Sequence, residues 1–407
     1  MSTTTTAPAP AADTRGATGH PVITAWSAVS PFGIGRDAFR AGLRERRRTA
    51  DRPEPVGPES PESPESPESP AGPDGRACTV PSFDVRAALG RKGTRSMDRV
   101  TGLAVTTVGA LLDDTERNRA VGTGEGAALA LGTTTGSAQS MMDFTRDSLT
   151  GEQPFFVDPA RFPNTVMNCA AGQSAIWYQL KGPNTTIAGG RTAGLHALNY
   201  SRRLLAAGRA QTVLCGAAEE YSTARAWLEH HSGAGAAAGG APLGEGCAML
   251  LVEPSAAPGA AAGQPVLAEV LAVELGVVIG DDVRTALTAC LERAFRRAGV
   301  AADQVAVVAR CEAPGAEGAG ESAAVAALLD GVHATDLELT ELVGDTGAAS
   351  AGLQVAGLLA WAEDNPPEAN PPEANPPETN PSEAARVGLV TSVDRSGGVG
   401  CALLRLR

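Results

Sequence analysis

The sequence predicts an α/β protein built as two successive halves of the same kind. Three observations carry that reading. The chain has 407 residues, 43% of them hydrophobic and 19% charged, enough to bury a large core. Short apolar runs with strand character alternate with longer helical patterns along nearly the whole chain. The alternation restarts near residue 263, which points to an internal duplication with helices layered around two sheets.

The elements follow in order. Residues 1–19, rich in Thr, Ala and Pro, read as a disordered leader. "PVITAWSAVSPFGIG" is a strand ending in a Ser-Pro turn, and "RDAFRAGLRERRR" is a helix. A Pro/Glu/Ser repeat at about 53–75 and an Asn/Pro/Glu repeat at 365–384 cannot bury apolar area and read as solvated loops. "MDRVTGLAVTTVGALLDD" reads as an amphipathic helix, "GAALALGTTTG" as a strand and "AGQSAIWYQL" as a helix. "QTVLCGAAEEYS" and "LGEGCAMLLVEP" are buried strands that complete a first half, residues 20–262. The second half, 263–407, runs strand "QPVLAEVLAVEL", helix "DVRTALTACLERAFRRAG", strand "QVAVVARCEAPG" and helix "ESAAVAALLDG". "LELTELVGDTGAASAGLQVAGLLAWAED" is read as strand, turn and helix, and "VGLVTSVDRSGGVGCALLRL" as two closing strands.

Composition narrows the function classes. Aromatic residues make up 4% of a chain with 48 glycines, so the core must rest on aliphatic residues and closely packed helices. A formal net charge of −13 argues against non-specific nucleic-acid binding. Seven scattered cysteines without CxxC spacing read as reduced thiols, and five histidines make no metal centre. The N-terminus lacks the order of a signal peptide and no apolar run reaches about 18 residues, so a cytoplasmic, soluble protein is expected.

One stretch bears directly on chemistry. "GPNTTIAGGRTAGLHALNY" (182–200) reads as a strand from Thr185 to Ala188, a Gly-Gly turn and a helix from near Thr192. Such a turn lifts one side chain out of the sheet and aims backbone N–H groups at an oxyanion, which is how acyl-transfer enzymes present a nucleophile. The residue at the tip is Arg191. A guanidinium stays protonated and has no lone pair with which to take an acyl group.

With these residues in view, the chain resembles the β-ketoacyl synthases, condensing enzymes of the thiolase fold, from about residue 21 to 405 outside the two repeats. "VSPFGIGRDAF", "FPNTVMNCAAGQSAIWYQLKGPNTTIAGG", "CGAAEEYS" and "PLGEGCAMLLVE" carry the likeness. The resemblance implies a layered α-β-α-β-α sandwich. It also implies a catalytic cysteine at the elbow and two histidines holding the malonyl thioester. Here those three positions fall on Arg191, Arg310 in "ARCEAPG" and Asp345 in "GDTGAASAG". Neither Cys169 nor Cys311 stands on the elbow, and both read as buried structural thiols. No condensing activity is expected of the chain alone.

Within the family, this pattern is similar to the chain length factor, the inactive partner of a cysteine-bearing ketosynthase in type II polyketide synthases. The ending "TSVDRSGGVGCALL" looks most like the partners of highly reducing, polyene-type systems, while Arg191 departs from the glutamine usual at the elbow of aromatic-type partners. The resemblance implies a heterodimer, substrates carried on the phosphopantetheine of an acyl carrier protein, and no directly bound cofactor or metal. It also implies an acyl tunnel that crosses into this subunit and is bounded by Thr135, Ala138, Met141, Met142, Thr145 and Phe156. Helical spacing puts Ala138, Met141 and Thr145 on one face, and filler of an interface core is the plainer role for the two methionines. Arg191 has two readings: a buried residue pairing across the dimer axis with a carboxylate or carbonyls, or a binder of the malonyl carboxylate. Asp345 and Arg310 are expected to pair with each other. The basic run 44–48 faces either an acidic carrier protein or only solvent. Two rival functions stand: a malonyl decarboxylase or acyltransferase using Arg191 and Asp345, and a scaffold with no influence on tunnel length.

Overall fold

Val22–Ser30 is buried along its whole length, as an apolar run covered on both faces must be. It forms β1, at the centre of a mixed sheet in a computed structural model that describes residues 19–50, 73, 75–232, 240–255, 266–280, 282–366 and 386–407. The leader 1–18, nearly all of both repeats and the boundary at 262/263 lie outside the described residues. The other strands are β2 (Gly33–Ile34), β3 (Ala77–Cys78), β4 (Ala127–Thr133), β5 (Asn184–Ala188), β6 (Thr212–Glu219) and β7 (Leu243–Gly244). They continue with β8 (Gly246–Glu253), β9 (Ala268–Val277), β10 (Val305–Ala309), β11 (Thr335–Asp336), β12 (Val387–Val393) and β13 (Gly398–Leu406).

The main sheet runs β11-β10-β12-β13-β9-β1-β8-β6-β4-β5. Numbered within its own half, each set of five strands has the order 1-5-4-2-3, with the same parallel and antiparallel pairings. The halves meet where β1 pairs antiparallel with β9, at Val22↔Glu269 and Ile23↔Ala268. The duplication read from the rhythm of the sequence is therefore a duplication of topology.

Three apolar clusters define the layers. Helices Arg99–Leu112 and Cys169–Tyr178 cover one outer face, around Leu103, Leu111, Leu214 and Met249. Helices Val283–Ala298 and Gly315–Leu328 cover the other, around Leu287, Leu291 and Leu389. Between them, helices Ala193–Ala206 and Ser350–Asp364 share a core with strands of both halves. Small residues allow this close stacking: a Cβ added at Gly194 would stand 2.9 Å from the Cβ of Ala351. No helix among the described residues is long and apolar enough to cross a membrane.

Two readings of local structure change. Helix Arg99–Leu112 is buried on nearly every face, because helices Cys169–Tyr178, Val85–Leu89 and Glu116–Val121 pack against it in addition to the sheet. "LELTELV" is not a strand: Leu339–Val343 is a short helix. Leu339, Leu342 and Val343, spaced i, i+3, i+4, form its buried face, and the edge strand is Thr335–Asp336 just before it.

Candidate functional site at the strand–helix turn

The turn forms as its glycines predict. β5 ends at Ala188, Gly190 takes a left-handed φ of 53°, and Gly190–Thr192 make one 3-10 turn before the helix Ala193–Ala206. Thr192 donates its hydroxyl to the carbonyl of Gly189 at 2.8 Å. Arg191, at the tip, is only 6% exposed.

Its guanidinium is held inside the subunit. Nε donates to Oδ1 of Asp345 at 3.2 Å and Nη2 pairs with Oδ2 of the same carboxylate, a two-point contact. Nη1 lies 3.8 Å from Oδ2 of Asp394. Asp345 is fixed from its own backbone: its N–H donates to the carbonyl of Pro242 at 2.8 Å, and Arg225 Nη2 donates to its carbonyl at 3.0 Å. The N–H of Gly347 adds a bond to Oδ1 at 3.0 Å. Burial works to raise the carboxyl of Asp345, but the charge and hydrogen bonds of Arg191, with Arg225 and the Gly347 N–H, together outweigh it and hold the group at about 2. Burial likewise works against the Arg191 charge, and Asp345 more than restores it.

The structure redraws the expected pairings. Asp345 pairs with Arg191 and not with Arg310. Arg310 donates Nε to Asp336 at 2.8 Å and Nη1 to Ser322 at 2.8 Å, beside the sheet edge. The carboxylates that satisfy Arg191 belong to its own chain, so it needs no partner across a dimer axis. The residue beside Arg310, Cys311, turns toward the Arg191 side: its sulfur accepts the N–H of Val393 at 3.2 Å. Burial and Glu321 push its thiol well above the ordinary value, and burial, then Asp98, push that of Cys169 up to about 11. Cys311 is buried as expected; Cys169 is only half-buried.

The six expected tunnel residues do not share one environment. Ala138 is 3% exposed at the start of helix Ala138–Thr150, whereas Met141 is 36% exposed and Thr145 is also open. The single face expected for these three is split, because the helix start is drawn inward. Glu220 accepts from the hydroxyl of Ser137 at 3.0 Å and from the N–H of Gln139 at 3.4 Å, while the rest of the helix lies outward. Thr135, Met142 and Phe156 are exposed as well. Nine of the thirteen exposed large apolar side chains among the described residues fall between 141 and 176, in the connection from β4 to β5, the outer strand of the sheet. In the basic run, Arg46 and Arg48 pair with Glu338 and Glu341 of the same chain.

Sequence reasoning missed two groups. Asp394, just past β12, accepts the Arg191 N–H on Oδ2 at 2.9 Å. Its only signal in sequence was an acid at the end of a strand, in "VDRSGG". Half-buried Asp98 and buried Glu220 form a second acidic group at the start of helix Arg99–Leu112, where Glu220 accepts the N–H of Val100 at 3.2 Å. Burial holds both carboxyls above the usual range.

Residues 21–257 match the N-terminal domain of the β-ketoacyl synthases. Among curated proteins, the chain is 30% identical over 149 residues to 3-oxoacyl-(acyl-carrier-protein) synthase 2 of Vibrio harveyi, and 28% identical over 144 residues to that of Vibrio cholerae. These matches cover 35% of this chain and 34% of each relative, so the chain spans about a third of their length. Among solved structures, the ishigamide ketosynthase/chain length factor is 45% identical, with a TM-score of 0.81, over 95% of this chain and 99% of that one. A type II polyketide synthase ketosynthase bound to its acyl carrier protein aligns over 96% of this chain and 100% of its own, with a TM-score of 0.73. At 18% identity, that likeness concerns the fold alone. The match over more than half its length, on a thiolase-like sheet with this elbow, means that the chain belongs to the β-ketoacyl synthase family.

Proposed function

We propose that this chain is a non-catalytic ketosynthase-like subunit that pairs with a cysteine-bearing ketosynthase and shapes the tunnel holding the growing polyketide, so setting its length. The observation that carries the reading is the buried Arg191–Asp345 pair on the elbow turn. A guanidinium there has no nucleophilic lone pair, and its charge is already met by two carboxylates of its own chain. That also weighs against a malonyl decarboxylase, which would need the same cation free to take a substrate carboxylate. The likeness to the ishigamide ketosynthase/chain length factor supports the pairing, as does the run of exposed apolar side chains between β4 and β5. Met141, Met142, Thr145, Phe156 and Thr135 stand on the outward side and are the residues proposed to reach the tunnel or the interface; Ala138 supports the helix from within.

The test is a condensation assay with acyl- and malonyl-loaded carrier protein, run with the chain alone and with a cysteine-bearing ketosynthase. No product alone and elongated chains with the partner are expected, and M141W in the mixture is expected to shift products toward shorter chains. Product or carbon dioxide from the isolated chain would overturn the reading. Unchanged product length with M141W and F156A would reduce the subunit to a scaffold.

A further inference from the structure

We propose that the cleft between β9 and the C-terminal part of helix Val283–Ala298 binds a diphosphate group. The inference goes beyond the subunit reading and uses no residue of the elbow.

The cleft, of about 300 Å³, is lined by Glu274, Arg293, Arg296 and Arg297. Glu274 stands on β9, and the three arginines, spaced i, i+3, i+4, share one face of the helix. Arg293 donates Nε to Oε2 of Glu274 at 3.2 Å, and Arg297 pairs with Oε1 of the same carboxylate. A further charge approaches from the central layer. Arg202, on helix Ala193–Ala206, feels both Arg297 and Glu274: burial, then Arg297, lower its pKa, and Glu274 offsets only part of this. Its Nη1 donates to Asn199 at 3.3 Å, while its Nε is buried without a hydrogen-bond partner. Arg296 makes no ion pair among the described residues, and neither does Glu292 one turn before it. Four guanidinium groups thus gather around one carboxylate.

Simpler accounts cover part of this arrangement. A buried carboxylate such as Glu274 needs a cation, and basic residues in a last turn offset the helix dipole. Neither reason applies to Arg202, which is held from another helix against a like charge. Elsewhere arginine clusters are matched, Arg36 and Arg40 by Glu363 and Asp364, Arg46 and Arg48 by Glu338 and Glu341. Arg405 and Arg407 share Glu269, a smaller shortage than the one at Glu274. The guanidinium fork pairs at two points with phosphoryl oxygens. A diphosphate brings several charges in a small body, where a lone carboxylate would leave most of the excess unmet.

Inorganic diphosphate and a diphosphate ester offer the same chemistry, and the experiment separates them. The full chain is titrated in calorimetry with sodium pyrophosphate and, separately, with ADP, at an ionic strength fixed with sodium chloride. Saturable binding of pyrophosphate with a Kd below about 1 mM is expected. R202Q and R296Q should each weaken it about tenfold, as the loss of a charge-assisted bond does. R91Q makes the same change of net charge at an exposed position before helix Arg99–Leu112, in the opposite outer layer. It should leave the affinity within about twofold.

ADP binding as tightly as pyrophosphate, or more tightly, assigns the cleft to the diphosphate of an ester; weaker binding of ADP assigns it to the free anion. No saturable binding of pyrophosphate overturns the proposal, as does equal weakening by R91Q and R296Q. Arg296 lies exposed in the last helical turn, so R296Q decides the matter even where R202Q fails to fold.

Discussion

The two turns that open the central helices share a backbone and differ in their tips. Gly190–Thr192 and Gly347–Ala349 each begin with a left-handed glycine, φ 53° and 52°. Each sends the N–H of its second residue to a carboxylate at the end of the fourth strand of the other half: Arg191 to Asp394, Ala348 to Glu219. This reciprocity follows from the duplicated strand order, so it belongs to the fold. What stands at the tip does not. Ala348 presents a methyl group, whereas Arg191 fills the space between the halves with a cation that needs Asp345 and Asp394. Features repeated in both halves report architecture, and those confined to one half report what that half has been adapted to do.

The largest effect should come from breaking the side of the comparison that only the first half possesses. D345A leaves the Arg191 charge buried with one distant carboxylate, and is expected to cost about 3–5 kcal/mol, read as a lower urea midpoint with an unchanged slope. The double variant R191A/D345A should lose clearly less than the sum of the two single changes, since no orphaned charge remains. A loss under about 1 kcal/mol for D345A would mean that the pair does not hold the halves together.

The glycines sharpen the comparison, because both turns impose the same φ on different surroundings. A left-handed alanine costs about 1–2 kcal/mol at either site. At 347 the added Cβ meets Glu219 Oε2 at 2.9 Å, but at 190 it meets Asp394 Oδ2 at 2.1 Å and must displace a carboxylate held by three donors. G190A is therefore expected to lose about 3 kcal/mol and G347A about 2 kcal/mol. Equal losses in calorimetry would say that strain alone matters and that Asp394 yields freely.

How far the sequence revealed this depends on the range of the interaction. The strand, the turn and the helix around Arg191 were legible, because Gly189–Gly190 and the change of period from strand to helix are local signals. The rhythm of two halves was legible for the same reason. The order 1-5-4-2-3 was not, since strand neighbours are chosen by packing over the whole chain. Nor was the partner of Arg191: Asp345 lies 154 positions away, and aligned motifs place residues near a site without saying which way their side chains turn. Arg310 illustrates that limit, with its neighbour Cys311 facing the Arg191 side while Arg310 itself binds Asp336. "LELTELV" was misread because four apolar residues in seven fit both periods. The outward placement of Met141 depends on Glu220 drawing in the start of its helix, a contact across 83 positions.

The smallest effect concerns two acidic sites, Asp345 at the elbow and Glu220 beside Asp98, which titrate in opposite senses. Asp345 is held at about 2 against an ordinary 3.8, so its contribution is present above pH 4 and is lost as the pH falls through 2. Glu220 is raised by burial, then by the neighbouring Asp98, against hydrogen bonds from Ser137 and Gln139; Glu219 adds a smaller push. Asp98 is itself raised by burial. The contribution of Glu220 is therefore complete below its ordinary 4.5, and is lost as the pH rises through the raised folded value. In urea titrations from pH 5 to 9, the natural chain should lose stability toward the alkaline end. E220Q should lose less, by about 1.4 kcal/mol or more, the equivalent of one pKa unit. Other acids with values raised by burial, Glu219, Glu312 and Glu321, slope the same way in both proteins, so the difference between the two profiles belongs to the interacting Asp98–Glu220 pair. Parallel profiles would place the proton on Asp98 throughout and leave Glu220 ionised between the two helix starts it joins, where the N–H groups of Val100 and Gln139 would be supporting its charge.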